Sequence, residues 1–253
     1  MKPSEVVLTV TLALALLAAP LTGHAQQPRK VPRIGFLGGT SGSDHRVEAF
    51  RQGLRDLGYV DGKNLIIEYR WAEGYYDRLP ALAAELVGLP VDLLVCHGTP
   101  GTRAAKRATT TTPIVMASSG DAVANGLIAS LARPGGNITG STFFSPEVTA
   151  KRLELLKETV PLLRRVAVLV NPNDPGTAAI LRAMALTATS LNVALEQFEA
   201  RGSSEFESAF TAMATRRIDA LVITNDATFV ANRRRLAALA AQRRLPSAGI
   251  RSC

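Results

Sequence analysis

From Val31 onward, short runs of apolar and β-branched residues alternate with longer stretches whose apolar positions recur every three or four residues. Runs of the first kind fit buried strands and stretches of the second fit amphipathic helices. The pattern predicts strands over 31–37, 64–71, 91–96 and 113–117, and helices over 44–58, 76–87, 101–108 and 121–132. In the first of these helices Val47, Phe50, Leu54 and Leu57 share one face, and Gly58 supplies the stop. Strands separated by helices of this length pair in parallel through right-handed crossovers.

Residues 133–145, RPGGNITGSTFFS, break the rhythm with Pro134 and the glycines 135, 136 and 140, and predict a crossing between two lobes. The triplet Asn137, Ile138, Thr139 is an acceptor only in a glycosylating secretory pathway, and turn chemistry is its other use. The alternation then resumes, with helices expected over 146–160, 176–192, 204–215 and 229–244 and strands over 165–170, 193–200 and 219–224. The expected fold class is therefore α/β, two Rossmann-like lobes with parallel sheets in tandem. The N-terminal lobe is expected over 26–141 and the C-terminal lobe over 142–253. The architecture repeats, but the residues do not repeat closely.

The first residues change the setting. Lys2, an apolar run over 6–17, and then Pro20, Gly23 and Ala25 make the three-part pattern of a secretory signal peptide, with cleavage expected after Ala25. The run is shorter than the ~20 residues that span a bilayer. The expected location is the periplasm. A formal charge of +8 and a pI near 10.0 raise the question of nucleic acid. The arginines are scattered at helix ends and faces without interleaved aromatics, which argues against it. Cys96 ends an apolar run and reads as a buried thiol, while a bridge to Cys253 stays open. Histidines 24, 45 and 97 lack metal-ligand spacing, so neither a metal nor a cofactor is expected.

In an open parallel sheet, ligands bind outside the carboxyl ends of the strands, where strand order reverses. The loops at those ends are 38–43, 72–74, 97–102 and 118–121 in the first half, and 171–176, 200–203 and 225–228 in the second. They are small, rich in hydroxyl groups, and carry isolated acids at Asp121, Asp174 and Asp226. A helix N-terminus at 99–102 favours a carboxylate, and an aspartate facing it takes an ammonium, a combination suited to an amino acid. Helix capping is the competing use of each of these acids. The stretch GGTSGS after the first strand lacks the lysine and spacing of a phosphate-binding loop, and GFLGG does not fit the dinucleotide fingerprint. No nucleophile, base and orienting trio is legible, so an enzyme is not expected.

The segments LGYVDGKN, ARPGGNITG, NPND and DALVITND, with RIGFLGG before them, resemble the periplasmic substrate-binding components of ABC transporters, in the group described as tryptophan/tyrosine-type. The resemblance runs from Val31 to about Pro246 and implies the type I binding-protein fold, with two lobes closing on a small ligand. It places first-lobe contacts at Thr40, Ser41, Thr99, Pro100 and Asp121. It adds Ser141, Phe143 and Phe144 at the crossing, and Asn171, Asp174 and Asp226 in the second lobe. Phe143 and Phe144 could stack on a guest or pack at the crossing, and Trp71 is equally open. The resemblance implies capture of an amino acid or related carboxylate by a monomer that presents it to an inner-membrane ABC permease, or an extracytoplasmic sensing module built on the same lobes. It also leads one to expect a chain that ends short of its family's last strands and helices.

Overall fold

The strand predictions hold because their residues are those that pack on both faces of a sheet. A computed structural model describes residues 30–40 and 45–249. The proposed signal segment, Ser41 and Cys253 lie outside the described residues. The first strand, β1 (Arg33–Gly38), is buried from its second residue on. After it come α1 (His45–Asp56), β2 (Ile66–Trp71), a 3-10 turn at Tyr76–Arg78, α2 (Leu79–Gly88), β3 (Leu93–His97), α3 (Thr99–Ala108), β4 (Ile114–Gly120) and β5 (Ile138–Phe143). These five strands make one parallel sheet in the order β2-β1-β3-β4-β5.

The chain continues with α4 (Ser145–Thr159), β6 (Arg165–Val170), α5 (Thr177–Ser190), β7 (Ala194–Glu199), a 3-10 turn at Ser203–Glu205, α6 (Phe206–Thr215), β8 (Ala220–Ile223), α7 (Ala227–Ala231), α8 (Arg233–Gln242) and β9 (Ser247–Ala248). A second parallel sheet runs β7-β6-β8-β9. Each sheet with its covering helices makes one lobe, and the described residues from Pro32 on belong to one compact unit. In both sheets the first strand of the lobe is central, with the second on one side and the third on the other. Strand order thus reverses at β1/β3 and at β6/β8, which puts a crevice at the carboxyl ends of those pairs.

Packing on the sheets follows the alternation of side chains. Leu37, Leu94, Cys96, Ile114 and Met116 face α2 and α3, while Ile34, Phe36, Ile67 and Val95 face Val47, Phe50 and Leu54 of α1. In the second sheet Val166, Val168 and Val222 meet α4 and α5, and Leu169, Leu221 and Ile223 meet α6, α7 and α8. Cys96 is a free, buried thiol, and burial pushes its pKa up to about 12. Among the described residues no helix is long and apolar enough to cross a membrane.

Four local readings need correction. Residues 121–132 form turns instead of a helix. Asn125 turns its side-chain amide back to the carbonyls of Gly120 and Asp121, and Gly126 takes φ +65°, which ends the coil after one turn. Residues 133–145 do more than cross between lobes, since they include edge strand β5. The helix expected over 229–244 is two helices, broken at Asn232, whose side chain donates to the Thr228 carbonyl at 2.9 Å. Leu57 is 76% exposed beyond the end of α1 and is not part of its buried face.

Candidate functional site

The carboxyl ends of the two sheets face each other across a narrow crevice. From the first lobe come Gly98, which holds φ +87°, and the N-terminus of α3, with Pro100 in its first turn. Thr99 is buried, and its hydroxyl oxygen accepts from the Gly120 N–H at 3.0 Å and from the Ser119 hydroxyl at 3.3 Å. The threonine thereby ties the end of β4 to the start of α3. The helix begins at the crevice, and Thr99 and Gly101 hold its first-turn N–H groups, since Pro100 has none.

From the second lobe come two carboxyl groups. Asp226 caps α7, accepting from the N–H groups of Thr228 at 2.8 Å and Phe229 at 3.3 Å. Its other oxygen accepts from the Tyr76 hydroxyl at 2.8 Å and from the Asn171 side-chain amide at 3.4 Å. Asp174, in the loop after β6, accepts from the Gly176 N–H at 2.8 Å. Burial pushes the Asp174 pKa up to about 7, with the Asp226 charge adding to it and the Gly176 N–H and the Arg103 charge opposing. Burial also raises the Asp226 pKa, against the hydrogen bonds it receives from Tyr76, Phe229, Asn171 and Thr228.

The expected contact residues separate into groups. Thr99, Pro100, Phe143, Asp174 and Asp226 line one void of about 40 Å³. Asp121 joins Thr99, Phe143 and Asp174 around a second void of about 20 Å³. Asn171 stands behind this lining as the hydrogen-bond partner of Asp226 and the anchor of its own loop. Thr40 is buried and borders two larger cavities instead of the inner void. Ser141 is exposed on β5, and Phe144 is 52% exposed, so the structure does not bring either to the crevice. Phe143 does reach it. Trp71 lies across Gly38, where an added Cβ would sit 2.2 Å from its ring, and it stacks on Tyr69 with ring centroids 5.7 Å apart.

Two voids of this size hold about a water molecule each, since one water takes ~30 Å³ of liquid. Neither void has room for a guest the size of an amino acid. Two larger cavities adjoin. A mouth of about 750 Å³ opens between the lobes, with Glu73 and Asp77 on one side and Arg201 and Glu205 on the other. A cavity of about 410 Å³ lies in the first lobe against Phe36, Phe50, Trp71 and Val115.

Sequence reasoning missed Tyr76, whose hydroxyl reaches a carboxylate 150 positions along the chain, and Arg103, whose charge acts on Asp174. Tyr76 sits just past the strand-end loop 72–74, and that position was the available signal. Arg103 sits one turn into α3, where the helix start at Thr99 places it beside the crevice.

Comparison with known proteins bears on family and fold. A family profile described as ABC transporter substrate binding protein matches residues 36–250. A tyrosine-binding protein of Clostridioides difficile is 28% identical over 80% of this chain, and the chain spans 58% of that relative's length. A conserved domain protein of Vibrio cholerae has a similar structure, with TM-score 0.78 and 29% identity over 88% of this chain and 75% of its own. The domain from Streptococcus pneumonia solved in complex with L-Trp superposes with TM-score 0.77 and 24% identity over 87% of this chain and 74% of its own, and shares the fold. The architecture is the type I periplasmic binding-protein fold.

Proposed function

The chain belongs to the family of ABC transporter substrate-binding proteins, and from that premise we propose that it captures a small ligand, an amino acid or related carboxylate, for an ABC importer. In this reading the signal segment 1–25 directs export to the periplasm. The lobes 26–141 and 142–253 close on the guest, and the closed form of the monomer delivers it to an inner-membrane permease. The protein performs no chemistry on its guest.

One observation supports the ligand class: the start of α3 and Arg46 on the first wall stand opposite two carboxyl groups on the second. An amino acid laid across the crevice has its carboxylate at the start of α3, where helix N–H groups favour an anion. Its ammonium then meets Asp174 and Asp226. Phe143 is the ring available to stack on an apolar or aromatic side chain. The similarity to a tyrosine-binding protein supports the same class.

Thermal unfolding with L-tyrosine, L-tryptophan, L-leucine, benzoate and adenine tests the proposal. A guest at a hundredfold excess over its Kd stabilises the folded chain by about 2.7 kcal/mol. A rise in Tm with one of the amino acids is the expected result. A rise with adenine alone, or with none of the five, would overturn the ligand class.

A further inference from the structure

Tyr76 is common to the linings of the inner void and the wide mouth, so its ring is the wall between about 40 Å³ and about 750 Å³. The residue belongs to the first lobe, in the 3-10 turn that follows β2. Its hydroxyl donates to the Asp226 Oδ2 at 2.8 Å in the second lobe, and the Thr228 hydroxyl donates back to it at 3.5 Å. Both bonds are buried, and the phenol itself is 7% exposed. Gly39 makes room for the ring, since a Cβ there would come within 3.1 Å of it, and Gly74 takes φ +87° in the turn before it.

We infer that Tyr76 is a latch and specificity-determining residue, whose hydroxyl ties the first lobe to Asp226 of the second and competes for that oxygen with the ammonium of a guest. The inference rests on the amino-acid reading above for the identity of the competitor, though not for the existence of the latch. The geometry gives the latch two consequences. While the hydroxyl stays on Asp226, the inner void of about 40 Å³ is walled off from the mouth. Once it leaves, the inner void and the mouth become one space, so the guest's side chain extends past Tyr76 toward Glu73, Asp77 and Arg201. A guest with no ammonium has nothing to offer Asp226 in exchange, so the latch also discriminates between zwitterions and simple acids.

The substitution Tyr76→Phe keeps the ring and removes the hydroxyl. Nitroxide labels on cysteines placed at the exposed Gln52 and Leu186, one on each lobe, in a Cys253→Ser background, report the separation of the lobes by electron-electron resonance without any guest. The parent protein is expected to give a single short distance, and Tyr76→Phe to add a longer one. L-Tryptophan association followed by stopped flow is expected to be roughly tenfold faster in Tyr76→Phe, because more of the protein is open when a hydrogen bond to a carboxylate is lost. Identical distance distributions in parent and variant would overturn the latch, whatever binds. A shifted distribution with no L-tryptophan binding in either protein would sustain the latch and count against the amino-acid reading. A variant that opens yet binds L-tryptophan more slowly would overturn the competition between hydroxyl and ammonium.

Discussion

The two walls of the crevice are built from the same architectural part, the carboxyl end of a parallel sheet, yet they differ in chemistry. The first wall carries no carboxyl group: Gly98, Thr99, Pro100, Ser118 and Gly120 present backbone and hydroxyl groups at the start of a ten-residue helix, with the Arg46 guanidinium and His97 beside them. The second wall is acidic, with Asp174 and Asp226 on the loops after β6 and β8. The helix that Asp226 caps has only five residues, so the carboxylate dominates that wall over any helix dipole. One topology thus yields a donor surface and an acceptor surface, and the difference gives a guest lying between them a direction.

The acidic wall carries the larger expected effect. An acid whose folded pKa is raised binds its proton more tightly folded than unfolded, so its contribution to stability is fully present below the unfolded value. It is lost as the pH rises through the folded value. For Asp174 that window runs from near 4 up to about 7. Asp174→Asn keeps an acceptor for the Gly176 N–H and removes the titration. The variant is expected to be more stable than the parent at pH 8 by roughly 2 kcal/mol, with no advantage at pH 4, as measured by urea unfolding across that range. Parallel pH profiles for the two proteins would show that Asp174 is not held in a desolvated wall.

At the first wall the Thr99 contact is expected to matter less, and without dependence on pH, because the hydroxyl does not titrate. Thr99→Val is isosteric and leaves the Gly120 N–H and the Ser119 hydroxyl without the oxygen they share. A cost of about 1–2 kcal/mol is expected in the same unfolding experiment. An unchanged stability would mean that Thr99 does not tie β4 to α3.

Most of the fold was legible because it depends on local periodicity. The runs RIGFLG and RVAVLV carry their burial in their own composition and appear as β1 and β6 close to where the pattern predicts them. The misreadings fall where a short-range side-chain bond overrides periodicity, as Asn125 does after β4 and Asn232 does between α7 and α8. Strand β5 was hidden because its alternation is weak: only Ile138 is well buried, and Gly140 adopts φ +128° with Met116 so close that a Cβ would meet the Met116 carbonyl oxygen at 2.2 Å. In the site, the strand-end rule located Thr99, Asp174 and Asp226 because it follows from topology alone. Phe143 and Phe144 came from the resemblance, which could not separate them, because which side chain turns inward is decided by the end of β5. Nor could the strand-end rule find Tyr76, whose role exists only once the second lobe is folded against the first.

The account stands on a guest held by both of its charges, one at each wall. Titration calorimetry of L-tyrosine, of tyramine, which lacks the carboxylate, and of 3-(4-hydroxyphenyl)propionate, which lacks the ammonium, measures this directly. The account predicts heat from L-tyrosine and at least tenfold weaker binding of both analogues, since each leaves one wall without its partner. An analogue that binds as tightly as L-tyrosine would contradict it, because one wall would then play no part in holding the guest.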